Sequence, residues 1–424
     1  MSWMAAVVLA LLPFHAFLTV WLSSFLDHYT LLRLWKEVSL IMIAVGAAYI
    51  LVGDKRLRKQ LLGSRLAQLI LVYLALSIVY GLVGYWLNKV SIKALGFGLI
   101  INLRFLIFFL SLWIIATKSQ ILKRIWPKLV LIPASIVILI GLFQRIVLPY
   151  DFLRHFGYSE QTIFPYQTIN HNINFPRIMS TLRGANPLGA YLILVLSTVA
   201  VLFSKFKQKR RIIAALGFAG ILTLFFSYSR GAWIGAALSG LFLLGLSYKR
   251  ISLKKILIPV VGVLLILGIA TVLVVRNNPT FENYFFHTND RSTVEESSNE
   301  AHVSALRNGI KDVIHEPLGR GVGTAGPASV YNRESRVSEN YFVQIAQEIG
   351  WIGLILFLTI NVFIFRELWL RRRDTMARVL LVSFIGLTAV NLVSHAWTDD
   401  TLAYIWWGLA GIALATSVAS KRKR

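Results

Sequence analysis

Cysteine is absent from all 424 residues. The chain can therefore build neither a disulfide framework nor a thiolate metal site. Charge is scarce as well, at 15% of residues against 56% hydrophobic, a balance foreign to ordinary globular domains and typical of polytopic membrane proteins. The 19 acidic residues face 44 Lys and Arg, a formal charge of +25. In a soluble chain that excess would suggest nucleic acid. Here most of it falls in short loops between apolar runs, where membrane orientation is the simpler cause, and no nucleic-acid partner is expected. Internal repeats, low-complexity tracts, a Walker A loop, a zinc-protease pair and a nucleophile elbow are all missing. The glycines of 319–326 lack the strand–helix context of a dinucleotide fingerprint. No basic n-region precedes the first apolar run, so no cleavable signal peptide is expected.

What is present is apolar length. Runs of roughly 18–25 residues can cross a bilayer, and about twelve recur: 4–26, 38–52, 66–87, 92–116, 128–148, 187–204, 212–228, 231–248, 256–275, 341–365, 376–395 and 402–420. This predicts an all-α polytopic membrane protein. Alternate loops carry the basic residues: Lys55, Arg56, Arg58, Lys59 and Arg65; Lys118, Lys123 and Arg124; Lys205 to Arg211; Lys249 to Lys255; Arg366 to Arg373; and the tail Lys421-Arg422-Lys423-Arg424. The positive-inside rule puts this set, and both termini, in the cytoplasm. The long loops 149–186 and 276–338 then face outward. So do seven of the histidines, which places any acid–base chemistry on the outer face. The expected organisation is 1–275 as nine helices with an outer loop at 149–186, then an extracytoplasmic catalytic loop at 276–338, then three helices in 339–424. Neither long loop shows alternating strands. Val303, Leu306, Ile310 and Val313 have helical spacing, so a short amphipathic helix is expected at 302–315, followed by a tight glycine-rich turn at 317–323.

Candidate chemical groups lie at the outer rim. Glu339, where the long loop enters the tenth span, has two readings. One is helix-start chemistry, with Ser338 as N-cap and acid in the first turn. The other is a base aimed at the membrane interface. Arg230 sits in a two- or three-residue turn between spans. It is either an interfacial arginine beside an aromatic belt or a fixed guanidinium for phosphate oxygens. Arg104 is mid-span, where a charge must be paired or face an aqueous cavity. Glu348 raises the same question and reads as a structural partner. Arg177 and Arg183 flank the entry to the sixth span, on the side that disfavours arginine. His395 and Asp399 are four apart, but two ligands make no metal site.

Taken in order, these pieces resemble the bacterial O-antigen ligase/polymerase superfamily. The resemblance rests on Asn186-Pro187-Leu188-Gly189, on Ser229-Arg230-Gly231-Ala232-Trp233, on the turn Pro317-Leu318-Gly319-Arg320-Gly321-Val322-Gly323, and on Glu339-Asn340 through Glu348-Ile349-Gly350 to Gly353. It is strong over 177–365. Two departures stand out. Ligases of the family usually have histidine where this chain has Glu339, glutamate being more usual in polymerase-like members. Upstream of the Pro-Leu-Gly turn the family often has arginine where this chain has His302; Arg307, roughly one and a half turns further on, is a possible substitute.

The resemblance implies a GT-C-like fold with a large outer loop between the ninth and tenth helices, in the cytoplasmic (inner) membrane. It implies glycosyl transfer without metal, nucleotide or other cofactor, from a polyprenyl-diphosphate-linked oligosaccharide to a glycan or lipid-core hydroxyl, alongside other polysaccharide assembly proteins. On that reading Glu339 is the general base and Arg230 stabilises the departing diphosphate. Arg183, His302, Arg307, Asn340, Arg177 and Arg104 are the candidate substrate-binding residues. The rival class is a transporter or flippase for the polysaccharide or its carrier. A transporter should show repeats or broken helices near the midplane, whereas these candidates crowd one face.

Overall fold

The computed structural model describes residues 1–169, 172–247 and 298–415. The expected span at 256–275 and the first part of the second long loop lie outside the described residues. The rest is the all-α architecture of a polytopic membrane protein.

Eight segments among the described residues are long and apolar enough to cross a membrane. The first joins α1 (Ser2–Leu11) to α2 (His15–Leu26) through a 3-10 turn at Leu12–Phe14. Pro13 forces that irregularity, because its ring forbids the regular helical hydrogen bond. The exposed carbonyls do not go unpaired in a low-dielectric interior. Thr401 Oγ donates to the Leu12 carbonyl at 3.0 Å and Thr181 Oγ to that of Pro13 at 2.8 Å. The second segment, Tyr29–Gly53, exceeds the expected 38–52, since a short α3 (Tyr29–Leu32) precedes α4 (Trp35–Gly53). An interfacial helix α5 (Lys55–Leu62) follows. Then come α6 (Arg65–Trp86), α7 (Ile92–Lys118), α8 (Ile121–Ile146), α9 (Ala185–Lys205), α10 (Arg210–Phe226) and α11 (Arg230–Ser247). Beyond the undescribed stretch lie α12 (Ser298–His315), α13 (Tyr341–Leu370), α14 (Thr375–Asn391) and α15 (Asp400–Leu414). Helices α10, α14 and α15 occupy three further expected spans but are shorter, at 17, 17 and 15 residues.

One expectation fails in the first long loop. Residues Gln167–Ile169 (β1) and Asn172–Arg177 (β2) pair antiparallel, with Gln167 opposite Arg177. A three-residue strand is too short to display a period of two, and Pro176 on β2 argues against a strand unless it is at an edge. This two-stranded sheet is all edge. The expected amphipathic helix is present as α12 and starts four residues earlier than its apolar spacing indicates.

Close helix packing uses small residues. A Cβ on Gly386 of α14 would overlap the carbonyl oxygen of Gly235 on α11, so glycine at both positions lets the two backbones touch, the usual device where no hydrophobic effect drives association. Helix α15 lies along α7, burying Trp406 and Trp407 beside Phe105 and Phe109.

Candidate functional site

The second long loop contains a glycine-rich turn that is built into the membrane helices. Gly319, Gly321 and Gly323 all have positive φ (77°, 113° and 93°), a region that L side chains rarely adopt. The turn docks where α13 is interrupted at Gly350 (φ 70°, ψ −171°). In a continuous helix Trp351 N–H would donate to the Gln347 carbonyl. Here Trp351 N–H donates to the Pro317 carbonyl at 3.1 Å, and Gln347 O accepts from Arg320 N–H at 2.9 Å. Gly321 N–H donates to Glu348 O, also at 2.9 Å. The helix break and the turn therefore complete each other's hydrogen bonding. Glu348 seals the joint. Its fully buried carboxylate accepts from Asn102 Nδ2 of α7 at 2.6 Å and from Gly323 N–H at 2.8 Å.

With the turn anchored, α12 is held over the entrance to α13. Arg336 Nη1 lies 2.9 Å from Glu316 and 3.5 Å from Asp312, and Gln347 Nε2 donates to Asp312 at 2.8 Å. At Gly309 the helix comes so near the chain that a Cβ would sit 2.6 Å from Ser338 Cβ. The same face carries His302, seven residues back, to Glu339. Nδ1 of His302 stands 3.5 Å from Oε2 of Glu339, both side chains partly exposed.

Glu339 is not in the first turn of the helix, contrary to the helix-start reading. Asn340, not Ser338, is the N-cap: its Oδ1 accepts from Phe342 N–H at 2.9 Å and Val343 N–H at 3.0 Å, and the first turn contains no acid. Its Nδ2 donates to the Leu392 carbonyl at 2.9 Å. Ser338 Oγ instead donates to Asn340 O. Glu339 itself has a left-handed backbone (φ 54°), a strained choice for a residue with a Cβ, of a kind that clusters at functional sites. The strain turns its side chain out of the capping position. Across from it stands His395. Burial first, and the neighbouring His302 second, push the His395 imidazole down to about 4, so it is neutral at pH 7. Its Nε2 is buried without a hydrogen-bond partner among the described residues.

A second cluster forms at the N-terminus of α11. Arg177, at the end of β2, is fixed by Nε donating to Ser227 O at 3.0 Å and Nη2 to Asn186 Oδ1 at 2.6 Å. Burial, then repulsion from Arg230, pushes its guanidinium down to about 10. It remains charged at pH 7. Arg230 is the first residue of α11, whose first turn has no acid. Two mutually repelling cations at a helix N-terminus, where backbone N–H groups also point outward, favour an anion between them.

The remaining candidates divide. Arg104 is not left facing substrate alone. It donates to the Thr398 carbonyl at 2.7 Å and pairs with Glu37 at 3.3 Å, in a buried group where Lys36 lies 3.2 Å from Asp400 and His15 3.5 Å from it. Arg183 borders a cavity that Arg104 and Arg33 also reach. Arg307 is exposed, about 140° around α12 from His302; it is His302 that reaches Glu339. Asp399 caps α15 through Leu402 N–H. Arg33 and the proximity of His395 to His302 escaped the sequence reading. Arg33 had a signal, since it is an arginine on the face that disfavours arginine; the approach of His395 had none, since it joins distant parts of the chain.

Residues 215–358 match the O-antigen ligase family. The match contains Arg230, the glycine-rich turn, Glu339 and the break at Gly350. No curated protein matches the chain.

Proposed function

We propose that this chain, whose residues 215–358 match the O-antigen ligase family, is a polysaccharide polymerase of the outer face of the cytoplasmic membrane. O-antigen ligase-type glycosyl transfer from a lipid-linked glycan, within the bilayer, is what the family supports. The finer reading is carried by one observation: Glu339 is lifted out of α13 by its left-handed backbone and faces His302.

The acceptor hydroxyl attacks the anomeric carbon of the lipid-linked sugar, opposite the bond to the diphosphate. Its proton passes to the Glu339 carboxylate as the new C–O bond forms. The bond to the diphosphate oxygen breaks, and its electron pair leaves with the polyprenyl diphosphate. A diphosphate is already a good leaving group, so it needs charge neutralisation more than protonation. Arg230 and Arg177 supply fixed positive charge where that charge develops. His302 positions the Glu339 carboxylate. Glutamate in place of the histidine usual in ligases favours another glycan as acceptor.

The test is reconstitution. Purified protein in lipid vesicles should elongate a polyprenyl-diphosphate glycan and release polyprenyl diphosphate. Failure to consume that donor would overturn the reading, and formation of a lipid-core product in place of a longer glycan would make the protein a ligase. Arg230→Lys keeps the charge but loses the planar fork, and we expect transfer to drop roughly tenfold or more. Full activity of Arg230→Ala would remove this residue from the mechanism.

Orientation has its own test, made clean by the absence of cysteine. Val303→Cys on α12 and Arg373→Cys in the basic turn after α13 are both at exposed positions. An impermeant thiol reagent should label the first in intact cells, with any outer membrane opened, and the second only after lysis. The reverse pattern would invert the topology.

A further inference from the structure

A cavity of about 190 Å³ lies at the same end of the bundle as Glu339, between α7, the start of α9 and the second long loop. Three guanidinium groups border it, Arg33, Arg104 and Arg183, together with Phe97, Tyr331 and the Thr398 region. One water needs only about 10–15 Å³ of such space, so the cavity admits a substantial group. Ligand pockets for whole drug-sized molecules run to about 300–1,000 Å³, so it is sized for one sugar substituent and not for an oligosaccharide.

The charge in this cavity is unevenly spent. Arg104 is committed to Thr398 O and Glu37. Lys36 and Asp400 pair with one another in the wall behind it, and Asp399 is occupied as the cap of α15. Neither Arg33 nor Arg183 comes within salt-bridge distance of a carboxylate among the described residues. Both guanidiniums therefore keep open donors, with Asp399 the carboxylate whose field Arg183 feels, beside an Arg104 held by its partners. Phe97, Ile101 and Pro327 supply apolar lining, and Phe97 stacks on Tyr331 at 4.7 Å between centroids, with Lys93 over the same tyrosine ring at 4.3 Å. Convergent arginines in a recess with an apolar wall match a carboxylate or phosphate, which takes paired N–H donors from a planar fork.

We propose that this cavity receives an anionic substituent, a carboxylate or a phosphate, carried by a sugar of the lipid-linked glycan, and that the substrate is therefore an acidic polysaccharide. The inference rests on the glycosyl-transfer reading above. It differs from the diphosphate site at Arg177 and Arg230, which involves other arginines held by other elements.

The experiment measures binding to full-length protein in nanodiscs. Four probes are used: polyprenyl diphosphate alone, and the same lipid carrying glucose, glucuronate or phosphorylated glucose. Wild type should bind one or both acidic probes roughly tenfold or more tighter than the glucose probe. Arg33→Gln and Arg183→Gln, made separately, remove side chains with no ion pair and should fold. Each should bring the acidic-to-neutral ratio close to one. If wild type shows no preference for an acidic sugar, or if the variants keep that preference, the proposal is overturned. If either variant loses affinity for bare polyprenyl diphosphate in step with all the glycan probes, the cavity belongs to the carrier's diphosphate and the proposal is again wrong. Wild type that binds none of the four probes would overturn the glycosyl-transfer reading itself, and the acidic-sugar proposal with it. The two failures are distinguishable, because the first appears only as a loss of selectivity and the second in wild type as a loss of all binding.

Discussion

Glu339→Gln should fold like the wild type, bind the lipid-linked donor normally and lose about a hundredfold or more of glycan transfer. The amide has the size of the carboxylate but cannot accept the acceptor's proton. The charge is lost only to the partly exposed contact with His302, and the helix start does not depend on it. Asn340 makes the capping hydrogen bonds to Phe342 and Val343, and Glu339 contributes none of them. A mere helix-start charge would be worth about 0.3–1 kcal/mol of stability and nothing to turnover. The paired measurements are transfer rate, thermal unfolding and donor binding on the same purified protein. Near-wild-type transfer would end the case for Glu339 as base. His302→Ala provides a graded companion. If His302 only orients the carboxylate, its loss should lower transfer less than Glu339→Gln does and should leave donor binding intact.

The second glutamate of this region should behave in the opposite way. Glu348→Ala is expected to destabilise the protein by about 2–4 kcal/mol, whereas Glu348→Gln should be close to neutral and fully active. Alanine leaves two buried donors, Asn102 Nδ2 and Gly323 N–H, without an acceptor, and an unmade buried hydrogen bond costs about 1–3 kcal/mol. It also opens a void at the joint of three elements. Glutamine avoids both penalties. Its oxygen can take Gly323 N–H, while its amide nitrogen donates to Asn102 Oδ1 once the Asn102 amide turns over. That oxygen has no partner in the present arrangement; the exchange pairs it and releases Asn102 Nδ2 in its place, so the number of unpaired groups is unchanged. Thermal unfolding in detergent separates the two variants. Loss of transfer in a stably folded Glu348→Gln would show that the carboxylate takes part in chemistry and is not only a seal. Nine positions along the chain and one backbone torsion thus separate the two roles: Glu348 lies inside α13, bound to Asn102, and Glu339 lies outside it, turned toward His302.

How the two roles arise marks the limit of what a linear reading can reach. Run lengths and composition by themselves determined an all-α membrane protein, because crossing a bilayer demands about twenty apolar residues whatever they pack against. Local spacing likewise determined α12, since Val303, Leu306, Ile310 and Val313 fall on one helical face. The positions of Asn186, Arg230, the glycine-rich turn and Glu339 in order along the chain were enough to point to the family that residues 215–358 match. What tertiary structure alone decided is which of these groups are free to act. Arg104, mid-span, had to be paired or to face an aqueous cavity, and the fold supplies the partners: Glu37, 67 residues away, and the Thr398 carbonyl, 294 residues away. Arg33 carried only its place on the outer face as a signal until the fold brought it to the same cavity as Arg183. The β1–β2 hairpin was invisible because three residues carry no period. The helix-start reading of Glu339 failed because a cap is set by the φ of a single residue, and no spacing of side chains records whether Ser338 or Asn340 will take the helix N–H groups. Periodicity reports which face of an element meets the core; it carries no information about which distant charge arrives to neutralise another, and that arrival separates a structural ion pair from a site.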